Sequence, residues 1–324
     1  MKQTRIGISL GDPAGIGPEV VVRALAERPD LDVVVYGDRG VIDRAAAAVG
    51  VKPPPAARVI PVGELPAGRI EAGRPNEASA VAQVAYLTAA TDAALAGAVA
   101  ALVTAPISKQ WVARAGFAFP GHTEYLASRS GTAEHAMMLA GPRLRVTVAT
   151  THVALSTVAR VLRPETIAST AFLTARALAV DFGIAAPRVA IAGLNPHAGE
   201  SGRFGDEEAR IVTPAVDLAR RRLAEGAATA AAIVTGPHVP DVIFRQAADG
   251  AYDAVVALYH DQGLIPVKVL HFDEAVNVTL GLPFVRTSPD HGTAYDIAGS
   301  GRARPASFLA ALDLAAKLAA SRDA

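Results

Sequence analysis

Short apolar runs rich in β-branched residues alternate, along most of this chain, with longer Ala-rich stretches whose apolar positions recur at helical spacing. Residues 5–10 predict a first strand and residues 17–26 the helix after it. Strand patterns return at 32–36 and 58–61, a long helix is predicted over 76–96, and 100–104 reads as a buried strand. A second group follows: a strand over 145–150, a helix from 164 to about 182, a strand over 188–192, a helix from 206 to about 225, and strands near Ala232 and Ala254. Residues 276–287 predict two short strands around Gly281, and 306–321 a closing helix. This alternation is the signature of a parallel α/β architecture. The run Pro53-Pro54-Pro55 makes 51–57 a rigid surface loop, and no Gly/Ser-rich tether divides the chain, so interleaved domains are expected.

Length and composition narrow this picture. The 324 residues exceed one ordinary core, which holds roughly 100–200, so two domains or one large α/β unit are expected. The lack of cysteine excludes disulfides, thiolate nucleophiles, iron–sulfur clusters and Cys-based zinc sites, leaving His, Asp and Glu as metal ligands. Thirty-one basic side chains balance thirty-one acidic ones, which argues against a general nucleic-acid binder. No apolar run approaches a membrane span, and the first residues lack the apolar segment and cleavage site of a secretory signal. A cytoplasmic protein is expected.

The first candidate for chemistry is Gly11-Asp12-Pro13-Ala14-Gly15-Ile16-Gly17-Pro18-Glu19, between a predicted strand and helix. Glycines there let the backbone turn sharply and approach a ligand, Pro18 suits a first helical turn, and Glu19 its positive end. The third glycine of a dinucleotide fingerprint is missing. A tight structural turn accounts for the same residues.

Three of the eight histidines, His152, His197 and His260, lie just after predicted strands, where open α/β sheets build their sites. Neutral imidazoles on all three can hold one divalent cation with positions left open for substrate; a hydrogen-bonded loop side chain is the alternative for each. Pro120-Gly121-His122-Thr123-Glu124 offers a polar pair at a possible helix start, and Lys268, Asn277 and Arg286 supply two cations and a neutral donor. Such a set suits a phosphate or carboxylate, although most Lys and Arg are solvated surface residues. In Asp290-His291-Gly292-Thr293-Ala294-Tyr295-Asp296-Ile297-Ala298-Gly299-Ser300-Gly301, small residues admit a flat ligand and Asp296 can accept from ribose hydroxyls; a plain Gly-rich loop competes with this.

Taken together and in order, Gly11 to Glu19, Thr104-Ala105-Pro106-Ile107-Ser108-Lys109, Pro120 to Glu124, Leu194 to Glu200, Tyr259 to Gly263, and Asn277 to Arg286 with His291-Gly292-Thr293 resemble the signature segments of the 4-hydroxythreonine-4-phosphate dehydrogenase family. The resemblance runs essentially end to end. The first and last motifs also resemble those of isocitrate and isopropylmalate dehydrogenases, from which Tyr295, in place of a proline, and two extra residues in the first turn depart.

The resemblance implies an isocitrate/isopropylmalate dehydrogenase-like fold of two interleaved α/β/α domains with a cleft between them. Residues 1–120 with 285–324 form the nucleotide side, and 121–284 the metal, substrate and dimer side. It implies His152, His197 and His260 as ligands of one divalent cation (Zn²⁺, Co²⁺ or Mg²⁺), and His122, Thr123, Lys268, Asn277 and Arg286 as substrate contacts. Gly11, Asp12, Gly15, His291, Gly292, Thr293 and Asp296 become the site of NAD or NADP. A homodimer sharing the metal site across its interface is implied as well.

The implied reaction is metal-assisted, NAD-dependent oxidation of 4-phosphooxy-L-threonine at C3, followed by decarboxylation to 3-amino-2-oxopropyl phosphate. A proton acceptor is needed, and Asp261 or Asp241 are candidates, each with a rival role in orienting a ligand imidazole. Two other readings remain: a paralogous dehydrogenase of 4-phospho-D-threonate or 4-phospho-D-erythronate, and a non-catalytic metabolite sensor, against which the intact histidine set counts.

Overall fold

A computed structural model describes residues 4–63, 65 and 68–322. The extreme ends of the expected terminal domain, residues 1–3 and 323–324, lie outside the described residues. The chain forms two compact units: residues 1–133 with 282–320, and residues 134–281 with 321–324. The first unit is therefore built from both ends of the chain and includes His122 and Thr123.

In the first unit the order is β1 (Ile6–Ser9), α1 (Gly17–Glu27), β2 (Val33–Tyr36), α2 (Arg39–Val49), β3 (Val59–Ile60), α3 (Glu77–Leu95), β4 (Ala101–Thr104), α4 (Lys109–Arg114) and α5 (His122–Arg129). The second unit contributes β5 (Ala136–Ala140), β6 (Arg145–Val148), α6 (Val158–Val161), α7 (Pro164–Val180), β7 (Arg188–Ala192), α8 (Thr213–Ala224), β8 (Ile233–His238), α9 (Pro240–Ala248), β9 (Ala254–Ala257), α10 (His260–His271) and β10 (Val276–Leu280). The chain closes with β11 (Val285–Pro289) and α11 (Ala306–Arg322).

The strands of the first unit run β3-β2-β1-β4-β11, all parallel. Residues of β1, β2 and β4 are buried throughout, the continuous apolar character of strands covered on both faces. Asn76 and Ser79 form a reciprocal capping box that starts α3. Leu87 and Ala90 of α3 join Leu102, Phe117, Leu126 and Phe284 in the core of this unit.

In the second unit the order is β10-β5-β6-β9-β7-β8. The last four of these are parallel, as the alternation predicts, whereas β5 pairs antiparallel with both β10 and β6. Strand β5, Ala-Met-Met-Leu-Ala, has no β-branched residue and was not among the predicted strands. It joins β6 through a short turn closed by the Gly141 N–H on Leu144 O, a connection too short for a parallel crossover. The helix expected from 206 opens instead as a π-helical turn, Glu208–Val212, before α8. The core here gathers Leu139, Val146, Ile243, Val255, Leu264 and Val267.

Candidate functional site

The turn after β1 is sterically determined. Gly11 has φ +74°, and a Cβ there would lie 2.5 Å from Pro106 O; only glycine fits. The Asp12 N–H donates to Pro106 O at 2.9 Å, and its buried carboxylate accepts from the Ala14 N–H at 2.8 Å and from the Tyr295 hydroxyl. Burial outweighs these two bonds and raises the Asp12 pKa above its ordinary value. Burial and the bond to Asp12 push the Tyr295 hydroxyl up to about 12.

The loop after β11 returns to this turn at several points. The Ile16 N–H donates to Thr293 O at 2.9 Å, and a Cβ on Gly15 would lie 2.9 Å from the same oxygen. Glu19, buried in the first turn of α1, accepts from the Gly299 and Gly301 N–H groups. The residues expected to hold a nucleotide, Gly11, Asp12, Gly15 and Thr293, are thus brought together, while Gly292 and Asp296 of the same loop face solvent. His291 Nδ1 lies 3.1 Å from Gly292 O. Tyr295, a departure from the related dehydrogenase motif, adds a side-chain tie between the two segments through Asp12.

A second cluster in the same unit is cationic. Arg286 on β11 is 3% exposed and donates to Thr104 Oγ1 at 2.7 Å. Burial lowers its pKa to about 10 while Glu124 acts in the opposite sense, so it stays protonated at neutral pH. His122 opens α5; its Nε2 is buried and has no hydrogen-bond partner among the described residues. Burial, then the charges of Arg286 and Lys109, hold this imidazole well below its usual range, so it is neutral. Thr123 follows on the same turn. Buried positive charge beside an unsatisfied neutral ring is chemistry for an oxyanion such as phosphate. Lys109 was not singled out as a contact from sequence; a Cβ on Gly121 would lie 3.6 Å from its Cε. The only sequence signal for it was its place in the Thr104 to Lys109 segment.

In the second unit His152, in the loop after β6, and His260, the first residue of α10 rather than a loop residue, have ring centroids 5.7 Å apart. Two imidazoles on one tetrahedral cation hold their centroids roughly 5 Å apart, so this pair fits a divalent metal. His260 Nδ1 lies 2.7 Å from Asp261 Oδ1, which leaves Nε2 for a ligand bond, the usual outer partner of a metal-bound imidazole. His197 is not gathered with them: its ring lies 6.1 Å from that of Phe204. Among the described residues no group of three or more His, Asp or Glu is arranged to hold a metal ion. Asp241 is exposed in the first turn of α9, Lys268 is half-buried on α10, and Asn277 on β10 has its Oδ1 buried with no hydrogen-bond partner among the described residues.

The His197 loop is unusual. His197, Ala198, Gly199, Glu200 and Ser201 all have φ between 43° and 80°, five consecutive residues in the left-handed region. For the four that are not glycine this costs roughly 1–2 kcal/mol each. Glu208 at the start of the π-helical turn accepts at Oε1 from the Leu194 and Asn195 N–H groups, at 2.8 and 2.7 Å, and at Oε2 from Asn195 Nδ2 at 3.0 Å. Glu208 was absent from the sequence candidates, because its role is set by a fold-back of the chain and not by any local pattern.

No helix among the described residues is long and apolar enough to cross a membrane. Residues 30–315 match the family model described as pyridoxal phosphate biosynthetic protein PdxA. The chain is 51% identical to a 4-hydroxythreonine-4-phosphate dehydrogenase of Desulfosudis oleivorans, over 97% of this chain and 96% of that one. The structure of the 4-hydroxythreonine-4-phosphate dehydrogenase of Klebsiella pneumoniae is 40% identical, covers 98% of both chains and superposes with a TM-score of 0.86. A terephthalate 1,2-cis-dihydrodiol dehydrogenase of Burkholderia xenovorans is 32% identical over 97% of this chain and 98% of its own, with a TM-score of 0.69.

Proposed function

This chain belongs to the pyridoxal phosphate biosynthetic protein PdxA family and is a dehydrogenase, and from that footing we propose that it oxidises 4-phosphooxy-L-threonine at C3 and that the product decarboxylates to 3-amino-2-oxopropyl phosphate. The observation that carries this reading is the buried, protonated Arg286 beside the neutral, unsatisfied His122. A phosphate satisfies both, taking the guanidinium fork and a ring hydrogen bond. Thr123, Lys268 and Asn277 are the further substrate contacts of this reading.

When bound, NAD⁺ or NADP⁺ supplies the hydride acceptor and a divalent cation the Lewis acid that favours ionisation of the C3 hydroxyl and loss of CO₂ from the β-keto acid. Gly11, Asp12, Gly15, His291, Gly292, Thr293 and Asp296 are the nucleotide contacts of this reading; Asp296, which is exposed, is its acceptor for ribose hydroxyls. His152, His197 and His260 are the metal ligands. The proton of the substrate hydroxyl passes to Asp261 or Asp241; Asp261, bonded to His260, also suits the orienting role.

A cytoplasmic homodimer that completes the metal site across its interface fits the single chain, in which two of the three histidines pair. The outer face of α10 supports a second copy as the partner. Ile265, Val269 and Phe272 are 60, 79 and 73% exposed, and with His260, Asp261, Leu264 and Lys268 they line a pocket of about 380 Å³. An apolar face of that kind is what subunit contacts cover.

The buried Arg286 and His122 suit the phosphate of 4-phospho-D-threonate or 4-phospho-D-erythronate equally well, and these are the alternative substrates. One assay separates these: NADH formation from each phosphorylated acid, with and without a chelator. Turnover fastest with 4-phosphooxy-L-threonine and abolished by chelation is expected. No NADH from any of the three would overturn the reading and favour a metabolite sensor.

A further inference from the structure

The left-handed run His197–Ser201 has no intrinsic preference for its conformation, so something outside it must hold it. Glu208 is 6% exposed and spends both carboxylate oxygens on the entry to this loop, receiving the Leu194 and Asn195 N–H groups and Asn195 Nδ2. The carboxylate is also wedged sterically: a Cβ on Gly193 would lie 3.2 Å from Oε1, and one on Gly199 2.7 Å from Oε2. It therefore touches both the base of the loop and its middle. From the other side, Gln262 receives the Leu258 N–H at 2.7 Å and donates to Gly193 O at 2.7 Å. Gln262 stands two positions after His260, so the base of the His197 loop is tied to the start of the helix that presents His260.

We propose that Glu208 is a positioning residue: by closing the fold-back from Leu194 to the π-helical turn, it sets the left-handed loop that presents the His197 imidazole to a divalent cation. This rests on the reading of His197 as a metal ligand. The partners of Glu208 favour positioning over plain stabilisation. Burying a carboxylate costs desolvation that only well-placed donors offset, and the donors of Glu208 are three N–H groups of two consecutive residues immediately before Pro196 and His197.

The test uses the full chain, Co²⁺ as the probe, and the variants Glu208→Ala, Glu208→Gln and His197→Ala. Co²⁺ affinity is measured by calorimetry, its ligand field by visible absorption, and folding by circular dichroism. Glu208→Ala is expected to weaken Co²⁺ binding by roughly 10–100-fold, the usual effect of losing an outer partner of a ligand, and to alter the absorption bands. Glu208→Gln, which keeps an acceptor for the two backbone N–H groups but turns an NH₂ toward Asn195 Nδ2, is expected to fall between Glu208→Ala and the natural protein. It also keeps the test open if Glu208→Ala does not fold. Variants that melt at lower temperature yet bind Co²⁺ with natural affinity and spectrum, while His197→Ala loses binding, would overturn the positioning role and leave a structural one. Natural Co²⁺ affinity in all three, His197→Ala included, would overturn the ligand reading and this inference with it.

Discussion

The phenol of Tyr295 donates to the buried carboxylate of Asp12 across 283 positions of sequence, closing the loop after β11 onto the turn after β1. Removing this donor leaves the Asp12 carboxylate with the bond from the Ala14 N–H. Tyr295→Phe is expected to lower stability by about 1–2 kcal/mol and to raise KM for NAD⁺ roughly tenfold with little change in kcat, since one such bond is about a factor of ten. Denaturant unfolding and steady-state kinetics with each substrate varied check this. An unchanged KM for NAD⁺ would remove the loop from the nucleotide site.

The same pair sets a pH dependence. Burial raises the folded-state pKa of Asp12, so the folded chain retains this proton more strongly than the unfolded one, whose carboxyl titrates near about 3.9. The stabilisation from this group is complete below the unfolded pKa and is lost as pH rises through the raised folded value. Asp12→Asn cannot ionise and escapes that loss. Its unfolding free energy relative to the natural protein is expected to grow from about pH 4 toward neutrality, read from denaturant midpoints across that range; a constant difference would contradict the raised pKa.

Arg286 is held at 3% exposure against Thr104. Arg286→Ala is expected to raise KM for the phosphorylated substrate by roughly 100-fold or more, the scale of losing a buried charged partner, and to leave KM for NAD⁺ nearly unchanged. Arg286→Lys restores the charge without the bidentate fork and is expected to recover only part. Equal effects on both KM values would show that this residue does not contact the phosphate.

The ring centroids of His152 and His260 lie 5.7 Å apart within one chain, the pair on which the proposed metal site is built. His152→Ala or His260→Ala is expected to abolish turnover and lower the bound metal per chain, with an unchanged circular dichroism spectrum. Metal content by mass spectrometry and NADH formation are the measurements, and a metal-free, fully active His152→Ala protein would sink the assignment.

Much of the site was legible along the chain because its geometry is local. Gly11 must be glycine in a turn with φ +74°, and such a turn between a β-branched run and an Ala-rich helix is visible without coordinates. Arg286 was a candidate by its charge, His122 by its place at a possible helix start, and His152, His197 and His260 by type and by position after strands. What was not legible depends on distant partners. Strand β5 lacks β-branched residues and exists because β6 and β10 flank it. His260 looked like a loop residue because the helix it begins contains Pro266, a residue that argues against helix locally.

By itself, then, the sequence determined the alternation of strands and helices, the glycine turn, and the kinds of side chain available for a phosphate, a nucleotide and a metal. These follow from period, backbone sterics and residue chemistry, all properties of neighbouring positions. Tertiary structure alone decided that Tyr295 would meet Asp12, that Glu208 would hold the His197 loop, and that His152 would pair with His260 while His197 lies apart. Each depends on how the chain folds back or how its strands order themselves, and which buried donor satisfies which acceptor is a choice that no local pattern encodes.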